Sequence, residues 1–142
     1  MGFTLKSEYA LRMLLILSKS YGKEKVLSIN KILEKTGNSV PSEFAEKILA
    51  VLRKRGIIST VRGRKGGYRL ARPPEQITLA DVIYSLEKPF IIFKDKNMCP
   101  ENIKCVVEKV WNRVKEEVDR TLRSMSLKDL SEMLNEEESI QS

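Results

Sequence analysis

The chain has 142 residues, enough for one domain or one domain with an appended element, and its 42% apolar share can build a core while its charged 32% is of mixed sign. The net charge of +7 is uneven: residues 1–75 carry 16 Lys/Arg against 6 Asp/Glu, a net of +10, and residues 76–142 carry 10 against 13, a net of −3. With no histidine and no apolar run longer than the five residues Met13–Leu17, the composition excludes the usual general base and a membrane-spanning helix, and points to a nucleic-acid-binding front joined to a protein-interaction rear.

In chain order, Ser7 is placed to cap a first helix that runs to about Tyr21, where Gly22 stops it. Ala10, Met13, Leu14 and Leu17 share one face, with Leu11 and Leu15 widening it, and Glu8 suits the positive end of the helix dipole. Glu8 and Arg12 also interrupt the apolar stretch, so the N-terminus does not read as a signal peptide and the chain is expected in the cytoplasm. Ser28 caps a short second helix that buries Ile29, Ile32 and Leu33 and ends at Gly37. A turn over Asn38–Ser42 follows, and Pro41 opens a third helix to about Arg55, ended by Gly56. Its apolar stripe is read as Phe44, Ile48, Val51 and Leu52, with Ala45 and Leu49 beside it.

Next come two short β-type runs, Ile57–Val61 and Tyr68–Ala71, joined by Arg62-Gly63-Arg64-Lys65-Gly66-Gly67. Three glycines give that connection the freedom of a hairpin tip. Eight Lys or Arg residues and no acid lie between Arg53 and Arg72. A hairpin with cations at its tip reads as a wing that reaches into a nucleic-acid groove, against the plainer reading of a solvated, charged loop.

Two short helices, a turn and a basic hairpin make a winged helix-turn-helix, so the fold class is mainly α with a small β-hairpin, followed by a long C-terminal dimerisation helix. Helix 28–36 is the supporting helix and helix 42–55 the recognition helix. Ser42, Glu43, Glu46 and Lys47 are its outward residues near the N-terminus, where such a helix meets base edges. A glutamate there can accept from a cytosine amino group and penalise wrong bases; equally, Glu43 and Glu46 can be ordinary acids favoured by the helix dipole.

Pro73-Pro74 breaks the chain. Thr78-Leu79-Ala80-Asp81 has the form of a capping box opening a helix to about Glu87 that buries Leu79, Val82, Ile83 and Leu86, and Lys88-Pro89 ends it. Apolar Phe90–Phe93 and a polar loop to Lys104 lead to a long helix over about 103–125. Val107, Trp111, Val114, Val118, Thr121 and Met125 recur there at steps of four and three, a coiled-coil-like seam. A short helix (Leu127–Leu134) and an acidic tail complete the chain. A long single-striped helix needs a partner, and a second copy across a two-fold axis supplies one. The organisation expected is a DNA-binding domain over 1–88, a cysteine-bearing loop over 89–104, and a dimerisation helix with tail over 105–142.

The segments Ser7–Arg12, Phe44–Leu49, Leu52–Lys54, Val61–Pro74 and Ile77–Ile83 together resemble the Rrf2 (BadM-like) family of bacterial transcription regulators, over roughly residues 3–125. The stretch from the wing to Pro73-Pro74 is the specific part of this match. The resemblance implies a homodimeric winged-helix regulator of a palindromic operator in double-stranded DNA. It places Arg62 in the minor groove, with Arg64 and Lys65 beside it, and gives Glu46 a share in site discrimination. The chain departs from the family pattern in a helix-turn-helix turn one residue longer, and in Arg64 and Lys65 where Pro and Gly are usual.

Cysteine use departs further. Sensors of this family hold an iron–sulfur cluster on three cysteines. Cys99 and Cys105 match the last two, Phe93 stands where the first would be, and Glu108 replaces a histidine of some relatives. Two thiolates cannot alone complete a two-iron cluster, which takes four protein ligands. Glu8 and Glu108 are the carboxylates that the resemblance offers as further ligands, although oxygen suits such clusters poorly. Two readings of Cys99 and Cys105 stand side by side: plain or redox-active thiols without a cofactor, or part of an iron–sulfur site. The function expected is a DNA-binding repressor responsive to redox or iron–sulfur status; the alternative is a cluster-free regulator whose DNA binding depends on a partner enzyme held by the acidic rear. No grouping of residues points to catalysis.

Overall fold

The computed structural model of the chain describes residues 4–23, 26–87 and 100–141. Three helices come first: α1 (Leu5–Ser20), α2 (Ile29–Lys35) and α3 (Ser42–Lys54). An antiparallel hairpin of β1 (Ile58–Val61) and β2 (Gly67–Leu70) follows, and after a 3-10 turn at Pro74–Gln76 come α4 (Leu79–Leu86), α5 (Glu101–Ser124) and α6 (Leu127–Gln141).

The first helix starts earlier than its expected cap. Thr4, not Ser7, is the N-cap, and its hydroxyl accepts from the Lys6 N–H. Ser7 is buried inside the helix, and its Oγ donates to Glu87 Oε1 at 2.9 Å. The same carboxylate, arriving from the end of α4, accepts from the Thr4 N–H at 2.9 Å and from the Thr4 hydroxyl. A residue distant in sequence thus satisfies the open N-terminal turn of α1, which local pattern could not show.

Around this start the core is built from one face of each helix. Met13, Leu14 and Leu17 of α1 meet Ile32 of α2 and Ile48, Leu49 and Leu52 of α3, all buried, and Ile57 and Ile58 close the layer from the hairpin. In α3 the buried row is Ala45, Ile48, Leu49 and Leu52. Phe44 and Val51, expected in the stripe, are exposed: both lie on the flank of the helix, and the core closes over the smaller Ala45. A similar turn affects α4, where Ala80 is buried with Val82 and Ile83, while Leu79 and Leu86 are half-buried. The capping box of α4 is present as expected, with Thr78 and Asp81 exchanging hydrogen bonds at 3.0 and 3.1 Å.

The hairpin pairs Ile58 with Leu70 and Val61 with Gly67. Close to its tip, β2 is fixed to the chain ahead of α2 by Leu27 N–H to Tyr68 O at 3.0 Å and Tyr68 N–H to Leu27 O at 2.7 Å. Gly67 permits that approach, since a Cβ there would stand 2.2 Å from the Leu27 carbonyl oxygen.

The rear differs from expectation at its end. The tail after Leu134 is helical to Gln141, and α6 folds back on α1 instead of trailing away. Leu127 lies in the main core, Ser18 Oγ and Ser131 Oγ are 2.7 Å apart, and Lys19 pairs with Glu138. The corner between α5 and α6 is stitched to the start of α4 by Leu79 N–H to Met125 O at 2.8 Å and Leu127 N–H to Ile77 O at 2.9 Å. A second, small apolar cluster of Ala80, Ile83 and Leu122 joins α4 to the end of α5.

Candidate nucleic-acid interface

The helix-turn-helix is made by α2, the turn at 36–41 and α3. Ser28 caps α2 by accepting from the Lys31 N–H, and Asn38 turns the chain at a left-handed φ of 57°. Asn tolerates that conformation better than most residues, because its short polar side chain bonds locally. With Ala45, Ile48, Leu49 and Leu52 inward, Ser42, Glu43, Glu46 and Lys47 are all exposed on the first turns of α3. Helical spacing carries the row from Glu43 through Lys47 to Ala50 and Lys54, on the side away from the core.

The wing tip brings Arg62, Arg64 and Lys65 together on one exposed turn. Among the described residues the ion pairs are Arg12–Glu8, Lys19–Glu138, Arg72–Asp81, Arg120–Glu117 and Arg123–Asp119. None of them includes a wing-tip cation or Lys47. Arg12, Arg72, Arg120 and Arg123 are neutralised by nearby acids, whereas Arg62, Arg64 and Lys65 at the tip, like Arg53, Arg55 and Arg69 in the same acid-free stretch, leave their charge for an outside anion.

Two local clusters escaped sequence reading. Arg12 lies 5.5 Å above the Tyr9 ring, pairs with Glu8 at 3.1 Å and reaches the Ser39 carbonyl at 3.4 Å, tying α1 to the turn before α3. Tyr9 in turn abuts Phe44, with ring centroids 6.0 Å apart. On the other side, Tyr84 donates to Asp119 at 2.6 Å and Arg123 Nε donates to the same carboxylate at 2.9 Å, clasping α4 to α5. Those hydrogen bonds, led by that of Tyr84, hold Asp119 below the usual carboxylate range. Burial, then the bond to Asp119, pushes Tyr84 up. For Glu87, partial burial opposes ionisation, but hydrogen bonds from Thr4 and Ser7 outweigh it and hold the carboxyl below its ordinary value.

Along α5, Ile103, Val106, Val107, Val110, Trp111 and Val114 are each 39–60% exposed. The expected seam residues Val107, Trp111 and Val114 stand in this bare stripe, whereas Val118 is half-buried and Leu122 is held against α4. Towards the other end of α5, an apolar cleft of about 620 Å³ opens between α1, α4 and α5, lined by Leu5, Leu11, Leu79, Ile83 and Leu122 with Glu8.

A sequence model of the family described as Rrf2, iron-dependent transcriptional regulator, matches residues 3–133. The chain belongs to the Rrf2 family. Protein rrf2 of Nitratidesulfovibrio vulgaris is 35% identical over 133 residues, which cover 92% of this chain and 87% of that protein. The solved structure of CymR, the global cysteine regulator of B. subtilis, matches with a TM-score of 0.79 at 28% identity, over 94% of this chain and 98% of that one. IscR of T. potens matches with a TM-score of 0.74 at 31% identity, over 100% and 92%. This Rrf2 chain is therefore a DNA-binding transcriptional regulator with a winged-helix fold, and not an enzyme. No helix among the described residues is long and apolar enough to cross a membrane.

The cysteine question is narrower after the geometry. Cys105 is exposed in the first turns of α5, with Glu108 exposed one turn on, and Cys99 lies outside the described residues, as do Phe93 and the expected stop at Lys88-Pro89. Glu8 is already engaged by Arg12. Among the described residues no three His, Cys, Asp or Glu side chains gather as a metal site. With two cysteines and no histidine in the whole chain, the soft donors fall short of the four that a two-iron cluster takes.

Proposed function

We propose that this protein is a cytoplasmic, homodimeric repressor that reads a palindromic operator. In each subunit α3 enters a major groove and offers Ser42, Glu43, Glu46 and Lys47 to base edges, while Arg62 of the wing enters the neighbouring minor groove and Arg64 and Lys65 meet the backbone. The observation that carries the reading is the wing tip: three exposed cations on one turn, in a stretch from Arg53 to Arg72 without an acid, and none of the three in an ion pair among the described residues. The second copy is held through α5, whose bare apolar stripe is the surface a two-fold axis would cover.

The test is selection of duplexes from a random library by the full-length protein. Recovery of an inverted repeat, bound with two protomers per duplex, is expected; recovery of no sequence, or of a single asymmetric half-site bound by one protomer, would sink the reading. Repression is then scored with a reporter behind the selected duplex, and a reporter that rises when the protein is supplied makes it an activator.

The signal it answers to is thiol chemistry at Cys99 and Cys105 rather than a resident cluster, because the chain's own donors do not complete one. Protein purified without oxygen is expected to be colourless and to hold iron well below one atom per chain. A visible chromophore that disappears in Cys99→Ala overturns this part while leaving the DNA reading intact.

A further inference from the structure

Phe44 is the one large apolar side chain in the first turn of the recognition helix, and it is 46% exposed. Composition had placed it in the core stripe, but the core closes over its neighbour Ala45. Its ring is not loose. Tyr9 buttresses it at 6.0 Å with the planes tilted by 53°, and Arg12 covers Tyr9 while holding the carbonyl of Ser39 in the turn that leads into α3. An aromatic ring is thus held in a set position beside Ser42 and Glu43, at the helix end that meets base edges, and water covers much of it. A major groove displays hydrogen-bond donors and acceptors at every base pair, but a single kind of apolar group, the C5-methyl of thymine.

We propose that Phe44 is a specificity-determining residue that packs on a thymine methyl in each half-site. The inference rests on α3 entering the major groove as set out above. Of the polar side chains beside it, Ser42, Glu43 and Glu46 end in groups that bond polar base edges, and the apolar stem of Lys47 carries a charged head drawn to base acceptors and phosphate.

The experiment uses the full chain and the duplex it selects from the random library. Each thymine of the half-site is replaced in turn by deoxyuridine, which removes only the methyl. For the natural protein, one replacement is expected to weaken binding about fourfold, the worth of one methyl removed from water. Phe44→Ala should bind the thymine duplex more weakly and lose the response at that position alone, keeping its responses elsewhere. A second variant, Phe44→Gln, keeps a long side chain and offers an amide suited to adenine, so its reselected sequence should change from thymine to adenine there.

A flat deoxyuridine series, equal responses in the natural and Phe44→Ala proteins, or an unchanged consensus for Phe44→Gln each overturns the proposal without touching the regulator reading. A shift of the monomer–dimer balance in Phe44→Ala, with the thymine response intact, reassigns the ring to a protein interface. Failure of selection altogether counts against the groove reading beneath it, and is told apart by the absence of any recovered sequence.

Discussion

Two exposed regions of this molecule are unfinished in opposite ways. Among the described residues, the wing tip exposes Arg62, Arg64 and Lys65 outside any ion pair, and the front half of α5 exposes a stripe of apolar side chains from Ile103 to Val114. Unpaired cations are at ease in water and gain from an anion chiefly through released counterions, so their bond fades with salt. A bare apolar stripe is not at ease in water, and its gain on burial is nearly indifferent to salt. The first region therefore describes a partner that is bound conditionally, the second a partner that stays. On the proposed reading the first partner is a duplex and the second is another copy of the chain.

The sharpest way to break the comparison is ionic strength. If the dimer neutralises about 6–10 phosphates, DNA affinity should fall on the order of 10³–10⁵ between 50 and 200 mM salt, while sedimentation shows the same oligomer at both. An oligomer that dissociates in step with DNA release would merge the two regions into one electrostatic surface. Next in size, Val110→Glu sets a charge in the middle of the stripe. A charge buried without a partner costs about 3–5 kcal/mol, so the dimer should weaken at least 100-fold, followed by sedimentation across concentration. Unchanged assembly would mean that α5 is not the contact.

A smaller effect sharpens the wing side. Arg62→Ala should weaken DNA binding about tenfold and lower the salt slope by about one, with the oligomer untouched. Normal binding by that variant removes the wing from the mechanism. The smallest effect concerns the frame that holds both regions. Glu87→Gln should cost about 1 kcal/mol of stability, the usual worth of a helix cap, read by denaturant unfolding. Since folding lowers the Glu87 carboxyl from its ordinary value near 4.5, its contribution is present above that value and is lost as pH falls below it. Glu87→Gln should flatten that stretch of the stability curve, and an unchanged acid limb would show that the cap contributes nothing.

Local chemistry was the part most open to sequence reading. The caps at Ser28 and Thr78, the stop at Gly56 and the glycine-rich tip each follow from a requirement that acts within four residues. What depends on distant contacts was not open. Phe44 and Ala45 are adjacent and both apolar, and only the packing of α1 and the hairpin against α3 decides which one goes inside. Glu87 looks like an ordinary acid at a helix end until the start of α1 is placed beside it. The acidic run after Leu134 reads as a tail because its charge masks the helix. Its hold on α1, through Ser131 and Glu138, rests on residues more than a hundred positions earlier. Of the proposed contact residues, Ser42, Glu43, Glu46 and Lys47 are exposed as the outward face of α3 predicts, while their apolar neighbour Phe44, expected in the core stripe, is exposed too.

The close approach of Gly67 to Leu27 makes the wing a propped beam: its root grows out of the end of α3, and its prop stands next to the loaded tip. With Ile57 N–H on Leu52 O of α3 at 3.0 Å holding the root, and Leu27 holding Tyr68 near the tip, reach and angle of the hairpin are inherited from two places, the end of α3 and the entry to α2. A shift of Leu27 against the end of α3 would re-aim all three cations without altering any of them, so the pair of supports steers the molecule's contact with the duplex.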